Sequence, residues 1–200
     1  MNRIFNALLV LAFAGTMTLA ATAQTGTSSA PDQSHSKMTS KQSAGTAMSD
    51  THFVKKAAQG GLAEVELGQL AVQKASSDQV KKFGQRKVDD HSKANEELKE
   101  VASKDHITLP TQPDAKDKAT KARLEKLSGA EFDKAYMSDM VKDHRHDVAE
   151  FARESKDAKN SDIKSFAQQT LPTLREHLKL AEQIAPEQKT QAKNMNGSGQ

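Results

Sequence analysis

Imidazole and carboxylate side chains on the inward faces of neighbouring helices are the residue types that hold transition metals. Four positions of this chain have that character: Glu64, His91, His144 and His177. Asp90, Asp143 and Asp147 stand close to the histidines in sequence, as ligands or as acceptors that orient an imidazole through its second nitrogen. Zinc, copper or iron is the candidate cofactor, and Met137 and Met140, which share a face with His144, add a copper-type variant. Carboxylate-bridged di-iron bundles take a Glu from each of two helices and Glu-x-x-His from the other two. Glu64 is the single carboxylate of the inward stripes, so that chemistry is not expected. The competing reading makes the same residues a buried hydrogen-bonded network that sets helix register, and residue types alone favour it. Methionines at helical spacing are likewise more often core packing than ligands.

Four long helices are needed to bring these residues together. One stripe reads Phe53, Ala57, Gly61, Glu64, Gly68, Ala71; a second reads Val80, Gly84, Lys87, His91, Ala94, Leu98, Val101. The third has Met137, Met140, His144, Val148, Phe151, and the fourth Ile163, Phe166, Thr170, Leu174, His177, Ala181, Ile184. Steps of three and four mark one face of a packed helix. Start signals are Ser49 or Asp50, Ser76 with Gln79, Ser128 with Glu131 (plus a Leu127 and Phe132 staple), and Ser161. Each polar residue then falls near mid-helix. Short links predict two antiparallel hairpins, and residues 104 to 129, with Pro110, Pro113 and a helical piece near 116 to 126, are long enough to cross back between them. The fold class expected is all-α, a ferritin-like four-helix bundle with a long crossover between helices 2 and 3. Pro172 should bend the last helix just before His177. A repeat at an offset of 53 pairs Val88-Asp89-Asp90-His91 with Val141-Lys142-Asp143-His144.

Composition agrees and narrows the function classes. With no Trp, one Tyr and no Cys among 200 residues, disulfides, thiolate metal sites and a lipidated cysteine are all ruled out. The 29 basic and 26 acidic residues are interspersed, so the net charge of +3 describes a solvated surface, and no basic face with stacking aromatics suggests nucleic acid. Arg3, the apolar run Ala7 to Gly15 and Ala21-Thr22-Ala23 make residues 1–23 a signal peptide, and that run is too short to span a bilayer. Residues 24–49, with seven Ser and four Thr, read as a flexible spacer, 50–185 as the bundle and 186–200 as a polar tail. The destination is the periplasm, with outer-membrane association or secretion as alternatives.

At Phe53-Val54, Ala58, Glu64, Gly68-Gln69-Leu70-Ala71, Val88, Asp90-His91, Phe132, Ala135-Tyr136-Met137, Asp143-His144, Leu171-Pro172 and His177-Leu178 the chain resembles a bacterial exported family, the domain of unknown function 4142. That family is described as ferritin-like and often labelled an outer membrane protein. The resemblance implies fold and export but no activity. Lys87 departs from what looks like a methionine position in that family, which alters the polarity of the core at this level. No Ser-His-Asp or phosphate-cradling pattern is present, so the expected function is non-catalytic, in envelope stress protection or interaction, with metal binding or metal-dependent redox chemistry as the alternative. An envelope protein or a second copy is the partner class. Exposed Leu67 and Leu70, off the Glu64 stripe, would favour interaction; convergence of the four seam residues, with Asp90 or Asp143 behind a histidine, would favour metal.

Overall fold

The computed structural model describes residues 36–197, and the side chains of 50–186. Its helices are α1 (Ser36–Lys74), α2 (Asp78–Lys104), α3 (Ala115–Leu124), α4 (Gly129–Asp157) and α5 (Ser161–Gly197), with no strand among the described residues. Residues 1–23 and the first part of the expected spacer, 24–35, lie outside them.

Two helices run longer than their sequence signals suggest. α1 does not begin at Ser49 or Asp50 but at Ser36, so the backbone of 36–49 is helical. That stretch contains no proline, and its polar residues carry only small helix penalties. At the other end α5 passes through both Pro172 and Pro186 and continues to Gly197, where a tail from 186 was expected. A proline removes one backbone donor, and the helix continues past that loss.

The helix starts are capped by residues from elsewhere in the fold. Asp133, fully buried on α4, accepts from the Ser76 amide at 3.1 Å, the Ser76 hydroxyl at 2.6 Å and the Ser77 amide at 2.9 Å. It therefore takes the role expected of the Ser76 and Gln79 pair, and Ser77 is the N-cap position of α2. Asp50, the expected cap of the first helix, accepts instead from the amides of Lys159 at 3.1 Å and Asn160 at 2.8 Å. Asn160 rather than Ser161 caps α5, its side-chain oxygen accepting from the Asp162 and Ile163 amides. Ser128 is the N-cap of α4 but its side chain makes no cap hydrogen bond, while Leu127 and Phe132 do pack in one cluster.

These contacts settle the directions of the helices. Ser76 and Ser77 meet Asp133 at one end; Asp50 meets Asn160, and Asn160 meets Asp105 at 2.9 Å, at the other. So α1 and α5 run one way and α2 and α4 the other. α1 packs on α2 and α4, and α5 packs on α4 and α2. The connection from α2 to α4 returns along the molecule, with α3 packed on α1 and α4 and capped by Asp114.

The apolar core divides into two clusters. One contains Leu67, Phe83, Phe132, Tyr136 and Met140; the other contains Phe53, Leu98, Phe151, Phe166 and Leu174. Leu67 and Leu70 are buried, so the exposure that would have favoured an interaction surface is not found there, and Val72 is the only large apolar side chain exposed among the described residues, at 37 %. On every long helix the inward polar residue falls between the two clusters in sequence, so a polar layer crosses the middle of the core.

Beside that layer α1 and α2 touch through glycines. A Cβ added at Gly84 would lie 2.8 Å from the Ala71 Cβ and 2.8 Å from the Gly68 carbonyl oxygen, whereas one at Gly60 would meet nothing within 4 Å. Overpacking of this kind costs about 1–3 kcal/mol, while Gly to Ala on an open helical surface gains roughly 0.5–1 kcal/mol. Chemical denaturation should therefore show Gly84→Ala destabilised and Gly60→Ala stabilised. Equal effects of the two would refute the close approach.

Candidate metal centre

The middle of the core holds two adjoining groups of metal-type ligands. His91 on α2, His144 on α4 and His177 on α5 are all buried, and each presents a ring nitrogen within 4.8 Å of the other two. Glu64 on α1, with Asp143 and Asp147 on α4, forms a second group under the same limit. The structure thus brings together all three predicted histidines and groups Glu64 with the aspartates, its Oε1 3.9 Å from His144 Nδ1.

Between the groups stands a residue that the sequence placed in the seam without a role. Lys87 is 0 % exposed, and its ammonium forms an ion pair with Glu64 Oε2 and donates to His144 Nε2 at 2.8 Å. A lysine is almost never fully buried without such partners. Its helical position, one turn before His91, was the available signal. What could not be read along the chain was that α1 and α4 supply both partners.

Hydrogen bonds fix the imidazole tautomers. His144 Nδ1–H donates to the Met140 carbonyl at 2.9 Å, so Nε2 is the acceptor for Lys87. His177 Nε2–H donates to Asp90 Oδ2 at 2.7 Å, which leaves Nδ1 as a lone pair pointing elsewhere. His177 Nδ1 and His91 Nε2 are buried with no hydrogen-bond partner among the described residues. Asp90 behind His177 is the carboxylate–imidazole arrangement typical of metal-bound histidine. Asp143 and Asp147, offered as ligands or orienting acceptors, lie with Glu64, and no hydrogen bond joins either to a histidine. His52, His106 and His146 are exposed; His35 lies outside the described residues.

The electrostatics keep the imidazoles neutral. Burial, followed by the charge of Lys87, holds His91 and His144 well below the ordinary histidine value. The same two causes bring His177 down from 6.5 to about 4, against the opposing pull of Asp90. Neutral imidazole is the form that binds metal. On the carboxylate side burial comes first and the Glu64 charge second in raising Asp143 to about 6; burial and Asp143 push Asp147 well up. Tyr136 is also fully buried, its hydroxyl without a partner among the described residues.

A family model described as "Domain of unknown function (DUF4142)" matches residues 35–184. No curated protein matches significantly. Among solved structures, a DUF305 protein from Streptomyces coelicolor whose name describes it as secreted shares the fold, with a TM-score of 0.60 and 12 % identity, covering 70 % of this chain and 93 % of that one. Among the described residues no helix is long and apolar enough to cross a membrane.

A buried neutral histidine leaves a mark on stability. The unfolded chain takes up a proton near 6.5 that folded His177 refuses until about 4, so its contribution, complete above 6.5, falls as the pH drops through that window. The difference corresponds to about 3 kcal/mol. Asp143, raised to about 6, works in the opposite sense between 6 and its ordinary value of 3.8. Comparing variants isolates the histidine: the stability gap between the wild type and His177→Gln, measured in chelator at pH 7 and pH 4.5, should narrow at the lower pH. A constant gap would mean that His177 is not held neutral by the fold.

Proposed function

The chain belongs to the DUF4142 family, and we propose that it is an exported, ferritin-like four-helix bundle whose crossover carries α3 and whose central histidines, with His91 and His177 as the open donors, bind one transition-metal ion, zinc or copper. It acts by binding in the cell envelope, as in metal sequestration under stress, rather than by catalysis. The reading is carried by one observation: His91 Nε2 and His177 Nδ1 are buried ring nitrogens without partners among the described residues, in a trio whose ring nitrogens approach within 4.8 Å.

A hydrogen-bonded register network accounts for Lys87 with Glu64, Lys87 with His144, and His177 with Asp90. It does not account for two unpaired ring nitrogens, since a buried polar group left without a partner costs about 1–3 kcal/mol. A metal ion supplies the missing partner for both. Neutral imidazoles suit zinc or copper; His91 and His177 are open to the ion, and His144 joins them only by exchanging its Lys87 hydrogen bond for the metal. The absence of an exposed apolar patch at Leu67 and Leu70 removes the feature that would have favoured an interaction surface.

Elemental analysis of untagged protein, exported to the periplasm and purified without chelator, tests this directly. Near-stoichiometric zinc or copper is expected in the wild type and its loss in His91→Ala with His177→Ala. Protein that stays metal-free after incubation with zinc, copper and iron would overturn the proposal and return the histidines to a register network.

A further inference from the structure

The Lys87 ammonium stands beside the carboxylate group and is paired with one of its members, Glu64. It lies against Glu64 Oε2 on one side and 2.8 Å from His144 Nε2 on the other, in a core where it has no exposure. Glu64, Asp143 and Asp147 bring carboxylate oxygens within 4.8 Å of one another, and Glu64, itself 1 % exposed, keeps Oε1 without a hydrogen-bond partner among the described residues. A cavity of about 190 Å³, lined by Asp117, Met140 and Asp143 among others, opens between α3 and α4 and reaches this group. Carboxylate oxygens clustered in a core repel one another unless a cation stands among them.

We propose that Lys87 is a tethered cation filling a second metal position, so that Glu64, Asp143 and Asp147 form a divalent-cation site closed by the chain's own side chain. This deepens the histidine reading and rests on it only for the presence of a first ion. The closed site has a defined chemistry. Three carboxylates are hard oxygen donors, which select an ion such as manganese(II) over the softer metals suited to imidazole. In the wild type the ammonium already neutralises Glu64 and denies the position to a free ion. Replacing it with a neutral side chain leaves the three carboxyl groups without that cation, and a divalent ion entering past Asp143 can take its place. Lys87 is therefore a selectivity element: it restricts the centre to the imidazole side.

Manganese(II) alone is the probe, read by thermal melting and by electron paramagnetic resonance of free against bound ion. Wild-type protein should neither bind manganese(II) at this group nor melt at a higher temperature in its presence. Lys87→Met should bind one ion and melt higher as manganese(II) is added, by the linkage expected of a ligand that binds only the folded state. Adding Asp143→Asn to Lys87→Met should abolish both effects. If Lys87→Met is unfolded without metal, manganese(II) must restore its helical circular dichroism; failure to do so overturns the proposal, as does a folded variant that gains no manganese(II). Wild-type binding that depends on Asp143 would overturn it as well, by showing that lysine does not close the site. Absence of zinc or copper from wild-type protein would sink the histidine reading alone, because the manganese(II) difference does not depend on it.

Discussion

One buried ion pair constrains the rest of the molecule. Lys87 on α2 needs Glu64 on α1 and His144 on α4 at the same height, because an uncompensated charge in this core would cost about 3–5 kcal/mol. Three helices are thereby fixed in register through a single ammonium. The fourth is joined to the layer by His177 on α5, which donates to Asp90 one turn from Lys87 on α2. Slipping α1, α2 or α4 by a residue would take from the buried ammonium one of its two partners, and slipping α5 would leave the His177 donor unpaired. Apolar packing above and below the layer supplies the bulk of the burial, but hydrophobic contacts tolerate small shifts that this network does not.

The same economy of position governs the helix ends. Asp133 and Asp50 are buried carboxylates that accept from backbone amides of another hairpin, so each end of the molecule is closed by a contact between the two halves of the chain. At the C-terminus of α2 the backbone turns through His106, at φ 54°, with the Ile107 amide returning to the Ala102 carbonyl at 2.8 Å and the His106 amide to Ser103. The chain leaves α2 in a set direction there and enters the crossover. Lys74 then donates to the Leu127 carbonyl at 3.1 Å, holding the far end of the α3 connection against the end of α1. With both ends and the central layer fixed, the histidines are held by packing and not by loops, which is what a preorganised binding centre requires.

The two ligand groups differ in chemistry because their surroundings differ. The imidazoles pack on one another, with Phe83 meeting His177 edge-on at 6.2 Å between ring centroids, and are kept neutral by burial and by Lys87. Asp143 and Asp147 are only partly buried, and Asp143 faces the cavity beneath α3. Burial combined with mutual repulsion drives their proton affinity up, while the lysine charge pulls it down. One residue on α2 thus acts on both groups in the same direction, disfavouring protons on each.

Periodicity along the chain determined the helical class, the inward stripes and the heights of Glu64, His91, His144 and His177, because a helix projects every third or fourth residue to one side whatever it packs against. The pairing of Asp90 with an imidazole also follows from types and spacing, although which histidine it holds does not. Tertiary structure alone decided the helix caps, since Ser76, Ser161 and Asp50 have local capping chemistry that Asp133 and Asn160 outcompete or redirect. It also decided that Lys87 stands between Glu64 and the histidines. Charge at an inward position reads as an anomaly in one dimension; only when α1 and α4 bring a carboxylate and a ring nitrogen to it does the same charge become the centre of the core.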